Sequence, residues 1–158
     1  MAATITAFDP NADLILVDVE LGGLLGAKRY RFALDTACAE TRVIPEAVEA
    51  LGYSAREGDS LTAVTTALGR EPGYRLRVAR FVALGHALTN FRVNAHDLPE
   101  GAGIHGLLGL NFLRAFNYEI RSKEGRLGRG AGSARRSSPA AAPDRARSPR
   151  AAAPRPPE

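Results

Sequence analysis

Apolar and polar residues alternate with a period of two along much of the chain before residue 120, the pattern of strands with one buried face. Over Leu14–Leu21, Ile15, Val17 and Val19 share one side while Asp18 and Glu20 take the other. Gly22, Gly23 and Gly26 punctuate the chain, and alternation resumes over Arg29–Leu34 with Tyr30, Phe32 and Leu34 inward. The two runs predict a β-hairpin that delivers Asp35 to a loop at its end. Further strands are predicted over Thr41–Ile44, Ser60–Ala67, Tyr74–Ala83, Ala87–Ala95 and the apolar run that starts at Gly106, with Tyr118-Glu119-Ile120 closing the series.

Helical signals are brief. Pro45 opens Glu46–Leu51 and Gly52 stops it, since proline suits a first turn and glycine a C-terminal cap. Asn111 is placed to N-cap a second helix over Phe112–Phe116. Many short strands with glycine and proline between them, and only one or two short helices, predict a small, mostly antiparallel β-barrel or sandwich. No internal repeat interrupts it.

Composition divides the chain in two. Its 158 residues and 45% hydrophobic content suffice for one domain with a modest core. The formal charge of +4 suggests a nucleic-acid binder, but the charge is unevenly spread. From Lys123 onward there are nine Lys or Arg against three acids, leaving the rest near −2. That segment has no aromatic residue, one large aliphatic residue (Leu127) and six of the ten prolines. It cannot bury enough apolar surface to offset its ordering entropy, so the boundary expected is a folded domain over 1–122 and a disordered basic tail over 123–158. A solvated or non-native extension explains the tail better than a nucleic-acid site, and none is expected in the folded domain. Cys38 is the single cysteine, so no disulfide forms within a chain. Neither a secretory leader nor an apolar run of roughly 20 residues is evident, so a cytoplasmic protein without a membrane span is expected.

The candidate chemistry centres on Asp35-Thr36-Ala37, which closes Tyr30-Arg31-Phe32-Ala33-Leu34. An aspartate at a strand end is usually a turn former. What lifts this one above that reading is the second segment, Gly106-Leu107-Leu108-Gly109-Leu110-Asn111-Phe112-Leu113, with Thr41 six residues after the aspartate. Together these strings resemble the retropepsin-like (retroviral-type, single-domain) aspartic peptidases, in a bacterial-type form, over roughly residues 14 to 120.

The resemblance implies a closed β-barrel and hydrolysis of peptide bonds, with no cofactor and no metal. Family members bring two such loops together, and a carboxylate pair about 3 Å apart shares one proton. One member activates a water as general base, and the other polarises the scissile carbonyl. This chain supplies one loop, because Asp59-Ser60 lacks an apolar lead-in. A homodimer with Asp35 from each protomer is therefore implied, acting on an extended peptide or protein substrate. By the same resemblance Thr36 fixes the separation of the carboxylates across the axis. Thr65, Thr66, Ala67, Leu68 and Gly69 form a flap over substrate. Leu107, Leu108 and Gly109 pack tightly beneath the catalytic loop.

Ala37 stands where relatives carry glycine, and a need for positive φ would strain it by about 1 kcal/mol or more. That departure, with the glycines at 125, 128 and 130 that weaken a last strand, keeps a catalytically silent dimerisation or peptide-binding module as the alternative. Cys38 reads as a small buried filler. Gly101-Ala102-Gly103-Ile104-His105-Gly106 fits a dinucleotide-binding pattern but lacks the strand before it and the helix after it. His86, His96 and His105 lack metal-ligand spacing and are expected at the surface or in loops. Arg75, Arg77 and Arg80 read as a solvated strand face.

Overall fold

The structure, a computed structural model, describes residues 4–58, 60–66, 69–99, 101 and 103–130. Ten strands carry the fold: β1 (Thr4–Ala7), β2 (Leu16–Gly23), β3 (Gly26–Leu34), β4 (Arg42–Val43), β5 (Ser60–Thr66), β6 (Gly69–Ala83), β7 (His86–Ala95), β8 (Gly106–Leu108), β9 (Tyr118–Arg121) and β10 (Arg126–Arg129). Two short helices, α1 (Pro45–Glu49) and α2 (Leu110–Leu113), interrupt them. The mostly-β expectation is met, but β1 and β10 were not expected, and β6 starts at Gly69, within a stretch read as a connection between strands.

Seven strands form one sheet in the order β2-β3-β8-β4-β7-β6-β5, and β2 also pairs with β6. That extra pairing closes a six-stranded barrel and leaves β5 outside it, with its described strand pairing to β6. Val17, Val19 and Leu21 of β2 point inward, shifting the buried face along from Ile15, and meet Phe32, Leu76, Val78, Phe81 and Val93. Phe81 joins an aromatic cluster, 4.6 Å from Phe91, 5.4 Å from Phe112 and 6.2 Å from Phe32 by ring centroids. Each fully buried phenylalanine contributes about 1.5–3 kcal/mol in transfer from water.

Strand β8 lies between β3 and β4, parallel to the first and antiparallel to the second. This arrangement carries the site. The chain leaves β3 at Leu34, loops through Asp35, and returns in β4 on the far side of β8. A strand more than seventy residues downstream thus supports both ends of the loop.

The boundary at residue 122 needs correction. Residues 126–129 form β10, which pairs with β9 on one side and β1 on the other in a separate three-stranded sheet. Gly125 makes this possible: it takes φ 61°, and a Cβ there would meet the Phe8 carbonyl. The glycine that weakens a strand by propensity is the residue that lets this hairpin turn. Leu127, the lone aliphatic residue of the supposed tail, is 2% exposed and belongs to the core. The part of the expected tail from residue 131 onward lies outside the described residues.

Candidate active site

Asp35 is half-buried just beyond β3. Its amide donates to the Leu108 carbonyl at 3.1 Å, continuing the β3–β8 ladder by one residue. Its carbonyl accepts from the Cys38 amide at 3.3 Å, closing a turn over Thr36 and Ala37. Its carboxylate Oδ1 accepts from the Ala37 amide at 2.9 Å. The aspartate is therefore held at both backbone ends and at one carboxylate oxygen, while Thr36 and Ala37 are exposed at the tip.

Strain at Ala37 does not arise. Among the described residues the non-glycine positions with positive φ are Leu84 and Asn90, so Ala37 lies outside the left-handed region. Its amide still reaches the carboxylate, and the residue is exposed.

The apolar-Gly motif lies against the Asp35 loop. Leu108 is 0% exposed, and Leu107 pairs with Ala33 and Arg42. A Cβ on Gly109 would lie 2.8 Å from the Cys38 carbonyl oxygen, 2.8 Å from Glu40 C and 2.9 Å from Thr41 N. The Asp35 loop packs backbone-on-backbone against this glycine, leaving no room for a side chain.

Asn111 does not cap α2. The N-cap is Gly109, with no side-chain cap bond, and Asn111 sits inside the helix. Its Oδ1 accepts from both the amide and the hydroxyl of Thr41, each at 2.8 Å, and its Nδ2 donates to the Arg92 carbonyl at 3.0 Å. The Thr41 oxygen in turn accepts from the Gly109 amide at 3.1 Å. Two further backbone bonds, Leu110 N to Cys38 O at 2.8 Å and Asn111 N to Ala39 O at 3.1 Å, complete the seam. Sequence reasoning noted both residues but not their partnership. The available signal was the Asn111 amide embedded in an apolar run, where a polar group needs a partner; Thr41, between Glu40 and Arg42, carries no such mark.

This clasp yields a measurable expectation. Thr41 is 0% exposed, so Thr41→Val leaves the Gly109 amide without its acceptor and removes one donor from Asn111. A loss of about 1–3 kcal/mol in chemical denaturation is expected, with faster amide exchange over the loop.

Cys38 is 7% exposed, and its thiol donates to the Glu40 carbonyl at 2.8 Å. Burial pushes the thiol up, outweighing the downward pull of Arg42, and the Asp35 charge adds a smaller upward push. Less thiolate forms at a given pH than for a free cysteine, so alkylation at pH 8 is expected to run at least about tenfold slower in the folded protein than in urea.

Of the histidines, His86 and His105 are half-buried beside aromatic rings, but His96 is 1% exposed. Its amide donates to the Val43 carbonyl at 2.9 Å, and its Nδ1 lies 2.8 Å from the Asp97 carbonyl oxygen. His96 lies in the loop that follows β7, as expected, but is buried there because β7 ends against β4 rather than in solvent. No group of three His, Cys, Asp or Glu side chains among the described residues is arranged to hold a metal. No helix among them is long and apolar enough to cross a membrane.

Thr65 and Thr66 of β5 pair with Arg70 and Gly69 of β6, making the expected hairpin. Its tip residues Ala67 and Leu68 lie outside the described residues.

A family model described as "Aspartyl protease" matches residues 17–112, from β2 through α2. The chain belongs to the aspartyl protease family. Within that family the fold is retropepsin-like. The coordinates are similar to a crystal structure of a retropepsin-like aspartic protease from Rickettsia conorii, at a TM-score of 0.62 and 17% identity, covering 81% of this chain and 89% of that one. At that identity the likeness establishes the fold. No curated protein matches the sequence. In this aspartyl protease family member, the residues singled out by sequence at 35–37 and 107–109 thus lie in direct backbone contact.

Proposed function

We propose that the chain is an aspartic endopeptidase whose catalytic water is activated by two Asp35 carboxylates, one from each protomer of a homodimer. The observation that carries this reading is the Asp35 loop: an aspartate anchored by Leu108 and Ala37, with Thr36 beside it, at the exposed tip of a rigid support. One such loop per chain is half of a carboxylate pair, and a twofold axis supplies the other half. The paired carboxylates share one proton, so one can take a proton from water while the other donates to the substrate carbonyl. The ordinary backbone at Ala37 favours this reading over a silent module, since strain there was the main reason to doubt competence. The β5–β6 hairpin would serve as the flap, with residues 65–69 over an extended peptide lying along the cleft.

The test is peptide cleavage by the full chain below neutral pH, with and without a transition-state-mimicking aspartic protease inhibitor, across a dilution series. Cleavage blocked by the inhibitor is expected, with specific activity falling as the protein is diluted and dimers dissociate. Undiminished activity from a protein shown to be monomeric sinks the half-site reading.

A further inference from the structure

Strand β6 has two partners along part of its length and one along the rest. From Tyr74 to Ala83 it pairs with β7 in the barrel, whereas from Gly69 to Gly73 its described pairing is with β5 alone. The hairpin therefore leaves the barrel at residues 73–75. At that departure Gly73 is buried, and a Cβ there would lie 2.7 Å from the Ala95 carbonyl oxygen and 3.0 Å from the Thr62 hydroxyl.

Two links run from this root to the catalytic loop. Arg75, still paired with both Ser60 and Asn94, donates from Nε to Glu40 Oε2 at 2.7 Å, the shortest ion pair among the described residues. Glu40 lies five residues past Asp35, and its carbonyl also accepts the Cys38 thiol. The second link is uncharged. The Thr62 hydroxyl donates to Asn94 Oδ1 at 2.8 Å, and the Asn94 amide donates to the Thr41 carbonyl at 2.9 Å. Glu40 and Thr41 are adjacent, so both strands of the hairpin root are tied to one point of the loop that carries Asp35.

We propose that Arg75 and Glu40 are a positioning pair that sets the pitch of the β5–β6 hairpin relative to the Asp35 loop, so that seating an extended peptide under the hairpin and ordering the loop are coupled. The proposal rests on the peptidase reading for its catalytic consequence and on geometry alone for the coupling. The pair is a poor candidate for global stabilisation: its side chains are 40% and 26% exposed, and ion pairs that wet contribute little to folding. What it can do, together with the Thr62–Asn94–Thr41 link, is fix the tilt of a hairpin whose described strand pairing with the barrel lies at its base. Coupling through a chain of specific contacts is the physical form such communication takes.

The experiment compares the full-length chain with Glu40→Gln, Arg75→Gln and the double variant, by hydrogen–deuterium exchange and by steady-state peptide cleavage. Each single variant is expected to speed exchange in segments 60–66 and 35–41, while β2 and β3 keep their protection. In cleavage, each is expected to lower kcat/KM by about tenfold, chiefly through KM, because peptide seating is impaired more than the chemistry. The double variant is expected to be no worse than the worse single, since the two groups act as one. Unchanged exchange in the singles overturns the proposal, as does equal loss of protection in β2 and β3, which would mark a merely structural role. Independent losses that multiply in the double overturn it as well. If the wild-type chain cleaves nothing, the peptidase reading falls, and the exchange measurements alone decide the coupling.

Discussion

Asp35→Asn is expected to reduce peptide cleavage by at least about 10³-fold, within the range lost when a general acid–base group is removed. Folding should hardly notice. An asparagine Oδ1 can still accept from the Ala37 amide, and the Asp35 backbone bonds to Leu108 and Cys38 do not involve the side chain. A change in unfolding free energy within about 0.5 kcal/mol is expected, as for a side chain outside the core. Mixing the variant with wild type sharpens the result. If each site needs a carboxylate from both protomers, equal amounts of the two chains redistribute into dimers, and activity per wild-type chain falls toward about half. Activity per wild-type chain that stays constant on mixing, with exchange of subunits demonstrated, contradicts the shared site.

The second large effect is on folding. Gly109→Ala places a methyl within 2.9 Å of three backbone atoms, at Cys38, Glu40 and Thr41. The backbone conformation is not the obstacle, because φ −97° and ψ −178° suit any residue. Space is. None of the three atoms belongs to a flexible side chain, so relief requires the Asp35 loop to move away from β8. Overpacking of this kind costs about 3 kcal/mol, a fall of roughly 10 °C in Tm for a domain of this size. Cleavage should fall with it, since the Asp35 amide bond to Leu108 belongs to the same contact. Gly128→Ala is the control: the nearest atom to its added Cβ is the Glu119 carbonyl oxygen at 3.9 Å, and stability should stay within about 0.5 kcal/mol. A Gly109→Ala protein as stable as that control would show that the loop is not clamped where it is drawn.

Much of this was legible along the chain. Strand alternation placed β2, β3, β7 and the C-terminal part of β6 within a few residues, because burial of one sheet face imposes a period of two that survives any change of partner. The Asp35 loop and the apolar-Gly segment were legible as well, since a carboxylate at a strand end and a glycine between leucines are local chemical statements. Charge partition pointed correctly to a basic C-terminal region, but misplaced its edge. Leu127 looked isolated because its strand partners arrive from β1 and β9, and no local pattern announces a third strand.

The remaining errors share that cause. Asn111 could cap a helix by its own propensity, yet Thr41, seventy positions earlier, claims its side chain. Arg75 looked like one of three arginines on a wet strand, and only the return of the chain through Glu40 gives it a partner. His96 carries no mark of burial until β4 lies across it. Side-chain periodicity and residue chemistry act over a few positions and set which elements form and which groups can react. Which polar groups satisfy one another across the barrel depends on strand order, and that order is settled by the joint burial of all the apolar faces at once. The aspartate was therefore readable in the chain, whereas the clasp and the strut that hold it exist only in the closed barrel.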